Sequence, residues 1–179
     1  FGDQLFVALL TNPDKFVSTD GRTGDYNQFW LPDRVFDNRT ALITDPPDGK
    51  IPYQSWAIPI GRIGENHNKY IDPRTACGPA GVPRLALQDA NQILQPAGDQ
   101  YVLWLFEDHH VQRVIAMDRR PRLGDAIKVT NGDSRGRWEG NTLIIDVNNF
   151  NGYNWFDDSG NFYTDSAHIV ERLTMIDSD

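Results

Sequence analysis

Cysteine is almost missing from this chain: Cys77 is the only one in 179 residues, which excludes an intrachain disulfide and a thiolate metal cluster. A lone thiol of this kind is expected to serve as a small buried apolar side chain. Long hydrophobic runs are missing as well. None approaches the ~18 consecutive apolar residues that a membrane-crossing helix needs, so the chain reads as soluble or membrane-extrinsic. Positive charge is in deficit: 17 Lys+Arg face 25 Asp+Glu, a formal charge of −8, and that balance repels phosphate backbones and anionic surfaces. Nucleic acid is excluded as an expected partner. No phosphate loop, nucleophile elbow, metal-finger spacing or dinucleotide fingerprint is found, and no cofactor is expected.

What remains is the composition of a folded protein. Hydrophobic residues make up 39%, aromatics 11% and charged residues 23%, far from the disordered regime. The length suits one cooperative domain over 1–179, in which 1–99 form a proline-rich irregular arm and 100–179 an antiparallel β core. The chain starts at Phe1 rather than methionine, which fits a processed or incompletely represented N-terminus.

The arm offers few regular elements. Phe1–Leu10 is apolar enough for a short strand or helix, Ala41–Thr44 reads as a short strand, and Asp45-Pro-Pro-Asp-Gly49 closes it with a turn. Prolines 59, 73, 79 and 83, with Pro96 just beyond, break up any pattern between Trp56 and Gln95, so that section is expected to wrap a sheet. Leu85–Leu94 has apolar positions spaced for a short helix.

The second half is different. Gln100–Asp108 and Val111–Asp118 are rich in β-branched, leucine and aromatic residues and read as a hairpin across Asp108-His-His110. Alternation puts Val102, Trp104 and Phe106 on one face and Tyr101, Leu103 and Leu105 on the other, as in a strand covered on both sides. Ala126–Thr130 predicts a strand, Arg135–Glu139 and Thr142–Asn148 a second hairpin across Gly140-Asn141, and Ala167–Ile176 a last strand. The expected class is all-β, an antiparallel barrel-like or sandwich sheet. Because the last strand reaches almost to Asp179, the sheet is expected to want one more partner strand.

Four blocks carry a resemblance: Tyr26-Asn-Gln-Phe-Trp30, Arg39-Thr-Ala-Leu-Ile-Thr-Asp-Pro-Pro-Asp-Gly-Lys-Ile-Pro52, Gly132-Asp-Ser-Arg-Gly-Arg-Trp-Glu-Gly-Asn-Thr-Leu143 and Val170-Glu-Arg-Leu173. Together they resemble a large, uncharacterised family of secreted bacterial proteins. The resemblance implies a periplasmic or secreted location. It also implies a partial member, since relatives continue for several strands after the Val-Glu-Arg element. It brings no activity.

Candidate chemistry falls in four places. Glu107, Asp108, His109, His110 and Arg113 cluster at the predicted hairpin, where a carboxylate beside an imidazole could do acid–base work. His110 and Glu107 are the favoured pair there. Glu171 shares a strand face with Ile169, Leu173 and Met175, so it should pair with an arginine such as Arg135 or Arg137, while His168 and Arg172 face the other way. In the glycine-rich run Asn131–Asp146, Gly132 and Gly136 build turns, Trp138 is either core or a flat ligand surface, and Glu139 sits at the hairpin end. The oxygen-rich loop Asp157–Asp165 fails the calcium pattern because its glycine is fourth rather than sixth and His168 stands twelfth, and no metal site is expected.

Two functions are weighed. The first is an extracytoplasmic, non-catalytic β domain that binds a small ligand or serves as an accessory subunit, extrinsic to a membrane protein complex. Its contacts would be Tyr26, Phe29 and Trp30, or Trp155 and Phe156, with Trp138 as a further surface. The second is a cofactor-free lyase, isomerase or hydrolase acting on a small molecule or glycan. Glu107 or Glu139 would be its acid or base, His110 their partner, and Arg113 or Arg172 its anion stabiliser. Those groups would have to converge within hydrogen-bond reach.

Overall fold

The structure, a computed structural model, describes residues 29–30, 43–57, 71–87, 90–157 and 160–174. The segment Phe1–Leu10, Ala41, Leu42 and all of Tyr26 lie outside these residues, as do the side chains of Phe29 and Trp30. Seven strands form one sheet in sequence order: β1 (Phe29–Trp30), β2 (Asn91–Leu94), β3 (Tyr101–Phe106), β4 (Gln112–Ala116), β5 (Asp133–Glu139), β6 (Thr142–Asn148) and β7 (Ile169–Thr174). The protein is all-β, and the sheet curls into a half-barrel. Among the described residues no helix exceeds the 4 residues of the 3-10 turns Pro73–Ala76 and Arg84–Leu87.

Neighbouring strands are antiparallel except β4 and β5, which run parallel through Ile115↔Ser134 and Ala116↔Arg135. The expected sheet was antiparallel throughout; residues 117–132 overturn that by crossing over, and parallel pairing requires a connection of a dozen or more residues. Arg122 fastens this crossover to the sheet. Its guanidinium donates to the Asp133 carbonyl at 3.1 Å, to Asn148 Oδ1 at 3.0 Å and to the Asp146 carboxylate. Gly136 lets the two strands approach, since a Cβ there would lie 2.7 Å from Ile115 Cγ2 and 2.3 Å from Met117 Sδ.

The β3–β4 hairpin stands where alternation puts it. Val102, Trp104 and Phe106 are buried on the inner face, while Tyr101, Leu103 and Leu105 are half-buried on the outer. The inner face continues through Ile115, Leu143, Ile145 and Val147, all in one core with Phe150. Ala80, Val82 and Leu85 join this core from the proline-rich segment, which therefore packs against the sheet as expected. Trp104 stacks on Phe106 at 5.0 Å and donates its indole N–H to Asn91 Oδ1 at 2.9 Å, so burial leaves its polar edge satisfied.

Some local expectations give way to tertiary pairing. Leu85–Leu94 is not a helix: Arg84–Leu87 forms a 3-10 turn and Asn91–Leu94 pairs with β3, because the strand's ladder outweighs a weak helical spacing. Ala126–Thr130 supplies only a bridge from Val129 to Phe150. Ile43 and Thr44 are irregular, although the turn after them forms as expected, with Gly49 donating to the Pro46 carbonyl at 3.0 Å and taking a φ of 69°. Cys77 is exposed rather than buried, since it caps the Pro73–Ala76 turn in a left-handed conformation.

The inner face also holds charge. Arg113 on β4 reaches over β5 and β6 to Glu171 on β7, donating at 3.1 and 2.6 Å to the two carboxylate oxygens. A further bond goes to Ser134 Oγ at 3.2 Å, and the guanidinium lies 5.4 Å from the Trp104 ring centroid. The buried partnership expected for Glu171 is present. Its arginine is Arg113, because Arg135 and Arg137 alternate to the other face, where Arg135 binds Asp133 and Arg137 binds Glu139. Side-chain exposures of 1% and 10% make this a desolvated pair, for which loss of one partner costs more than loss of both. Arg113→Ala or Glu171→Ala alone should lower unfolding stability by about 3–5 kcal/mol. An Arg113→Met, Glu171→Leu double variant should recover most of it, as measured by urea denaturation in a double-mutant cycle.

Tyr163 stabilises the same core from its far side. Its hydroxyl donates to the Val82 carbonyl at 2.6 Å and its ring meets Phe150 edge-on at 5.1 Å. Burial pushes its pKa up to about 12. A phenol whose folded pKa is raised supplies stability that is whole below the unfolded value of ~10 and is lost as pH climbs toward the folded value. An alkaline unfolding limb should therefore lie between pH ~10 and ~12 and shrink in Tyr163→Phe, read from circular dichroism alongside tyrosinate absorbance.

Candidate functional site

The groups proposed for catalysis do not converge. Glu107 and His110 are both exposed at the β3–β4 turn, and among the described residues no side-chain hydrogen bond or ion pair joins them. The imidazole that gains a carboxylate is His109: its Nδ1 lies 2.7 Å from Asp108 Oδ1, with Arg74 at 3.5 Å from the same oxygen. His109 and His110 both take positive φ, of 53° and 51°, and both are exposed. Arg113 lies inside the half-barrel, committed to Glu171.

Glu139 and Arg172 do meet, at 3.4 Å, but on the exposed outer face. Arg137, with a smaller contribution from Arg172, holds the Glu139 carboxyl below the usual carboxylate range, whereas a general acid needs the opposite shift. His168 is exposed and pairs with Asp146 at 3.0 Å. Trp138 is partly exposed near the end of β5 rather than fully enclosed in the core.

A different surface is built from the crossover and the segment after β6. Asn149, at φ 60°, turns the chain out of β6, and its side-chain amide donates toward the carbonyls of Leu123, Gly124 and Ile127 at 3.3, 3.1 and 3.0 Å. Backbone bonds from Val129 to Asn149 at 2.9 Å and from Asn151 to Val129 at 3.2 Å lay the two segments side by side. Asn151 Nδ2 adds a bond to Thr130 Oγ1 at 3.1 Å, and buried Asn154 donates to the Thr130 carbonyl. Gly81 admits the Asn154 side chain, since a Cβ at that glycine would fall 2.3 Å from Asn154 Cγ.

Large apolar side chains on these two segments stand in solvent. Tyr153 is 59% and Ile127 50% exposed, with Leu123, Val129 and Phe156 also exposed. Trp155 is half-buried and bridged to Phe162. Tyr53 joins this end by donating its hydroxyl to Asn161 Oδ1 and lying 6.5 Å from Phe162, centroid to centroid. Burial, then the nearby Asp157 carboxylate, raises its pKa, so the phenol stays a neutral donor. Three residues on, Trp56 is 54% exposed. Lys128, whose ammonium reaches the Asp165 carbonyl at 3.2 Å, gives the surface a polar margin.

We call this surface the ledge. Large apolar groups held out from a rigid backbone are expected where a partner covers them, because the ordering that binding would otherwise require is already done. Of the expected contact residues it contains Trp155 and Phe156, while Trp138 stands apart on β5. The residues missed from sequence are Leu123, Ile127, Val129 and Tyr153. Ala126–Thr130 reads as a strand in the sequence, and that reading gives no sign that Ile127 and Val129 stand in solvent. No family model, curated protein or solved structure matches the chain.

Asn149 is the clamp of the ledge, so Asn149→Ala should lower global stability by about 1–3 kcal/mol. Its amide-exchange signature should be graded: protection lost first and most at 123–130, while β3 and β6 lose only what the fall in global stability accounts for.

Proposed function

We propose that the protein is a non-catalytic binding domain, an accessory subunit that docks onto a partner protein through the ledge. The observation that carries this reading is the exposure of Leu123, Ile127, Val129, Tyr153 and Phe156 on two segments fixed to each other by Asn149 and Asn151. Aliphatic and aromatic groups side by side suit a protein surface better than a solute, since interface cores combine both and exclude charge. The dispersal of Glu107, His110, Arg113, Glu139 and Arg172 between solvent, interior and outer face favours binding over acid–base catalysis.

The location belongs to the same proposal. An extracytoplasmic domain, held extrinsically on a membrane protein complex, agrees with the family resemblance and with the fact that no helix among the described residues is long and apolar enough to cross a membrane.

A photoreactive phenylalanine analogue placed at 127 or 153, in the cell that makes the protein, should give one cross-linked species of discrete mass. The same group at Arg137 on the outer face should not. Ile127→Asp should abolish the product obtained from position 153 while leaving the melting temperature within a few degrees. Equal labelling from all three positions, or none from 127 and 153, would remove the ledge as the docking surface.

A further inference from the structure

Along β4 to β7 and their connections, acidic groups are matched by partners except beside the ledge. The carboxylates of Asp118, Asp133, Glu139, Asp146 and Glu171 each meet an arginine, and Asp157 accepts from Asn161. Asp125 and Asp165 differ. Both are exposed, and among the described residues no cationic group lies within ion-pair reach of either carboxylate. The side-chain contact that Asp165 makes is with Ser166 Oγ, 3.5 Å from its Oδ1.

Each of the two stands on a tight turn fixed to the ledge. Ile127 N–H donates to the Gly124 carbonyl at 2.8 Å, which puts Asp125 at the tip of a turn whose carbonyls the Asn149 amide also binds. Ala167 N–H donates to the Thr164 carbonyl at 3.1 Å, which does the same for Asp165. This second turn abuts the ledge, since a Cβ at Gly152 would lie 2.8 Å from Asp165 N. Lys128 spans to it, but its ammonium bonds the Asp165 carbonyl at 3.2 Å and forms no ion pair with the carboxylate.

From this coincidence of unpaired carboxylates with exposed Ile127, Val129 and Tyr153 we infer, on the docking reading above, the chemistry of the partner: a protein surface apolar at its centre, with lysine or arginine at its margin to meet Asp125 and Asp165. Charges at a rim set the rate and orientation of encounter, while the apolar contact supplies the affinity. They also select against other occupants. A second copy docked ledge to ledge would bring the same carboxylates together, and an anionic lipid surface or nucleic acid would be repelled by them and by the formal charge of −8.

The test uses the full chain carrying the photoreactive group at 153, in the cell that makes it. An Asp125→Lys, Asp165→Lys variant should lower the yield of the cross-linked species roughly tenfold, as two favourable rim contacts become unfavourable. An Asp99→Lys, Glu107→Lys control makes the same change in net charge on exposed turns outside the ledge and should leave the yield unchanged. Mass spectrometry of the captured peptide should find lysine or arginine within a few residues of the cross-link. Melting curves check that both variants fold; where the lysine variant does not, Asp125→Asn, Asp165→Asn carries the same test with a smaller fall. No product from 153 would remove the docking reading and this inference with it. A yield indifferent to the changes at Asp125 and Asp165, a captured peptide flanked by acidic residues, or capture of a second copy of the chain would overturn the inference and leave the ledge as a docking surface.

Discussion

The ion pair between Arg113 and Glu171 is the constraint on which the rest of the structure depends. Two strands separate β4 from β7 in the sheet, yet the guanidinium and carboxylate meet at 2.6 Å. A flat sheet holds alternate strands almost 10 Å apart, so contact across two intervening strands requires the sheet to curl. Curling brings the inner faces of β3, β4, β6 and β7 around one core. The charges are tolerated because each finds partners there: Glu171 accepts twice from Arg113, and Arg113 also reaches Ser134 and the Trp104 face. Such a pair adds little net stability over an apolar substitute, but it penalises any register that separates its members. A one-residue slip of β7 would carry Glu171 to the outer face and leave Arg113 buried without a counter-ion.

That arrangement also decides where function can sit. An arginine committed to a carboxylate within a packed interior is not free to stabilise a substrate anion, so Arg113 belongs to architecture. The outer face of β5 to β7 is likewise occupied by its own charges, with Arg122, Arg135, Arg137, Arg172 and His168 each bound to Asp133, Asp146 or Glu139. What the described residues leave in solvent beside these pairs is apolar, on the ledge.

The glycine-rich run from Asn131 to Asp146 serves the same architecture. Gly132 at φ 68° lets the crossover turn into β5 where a Cβ would strike Val147 and Phe150, and Gly136 permits the close approach of β4. Asp133 then holds both ends of that turn, accepting from the Leu123 backbone at 3.0 Å and from Arg135 at 2.8 Å. The run is thus a joint between the antiparallel hairpin β3–β4 and the antiparallel set β5–β7. Trp138 and Glu139, its most chemically suggestive members, end near the solvent-exposed tip of the hairpin.

The sequence by itself determined the β3–β4 and β5–β6 hairpins, the alternation that buries Val102, Trp104 and Phe106, and the opposed faces of β7. These are period-two patterns joined by short turns, and period and turn chemistry are local properties of the chain. It also determined that Glu171, lying among apolar neighbours, would need an arginine. Which arginine was a matter for the tertiary structure alone, because Arg113, Arg135 and Arg137 are equivalent in composition and differ only in the face that their strand turns inward. The parallel union of β4 with β5 was hidden for the same reason, since the crossover that permits it resembles any other loop. The ledge was hidden too: Ala126–Thr130 reads as a strand, and only in the folded chain do the bonds of Asn149, Asn151 and Asn154 hold its backbone beside the 149–154 segment with Ile127 and Val129 exposed.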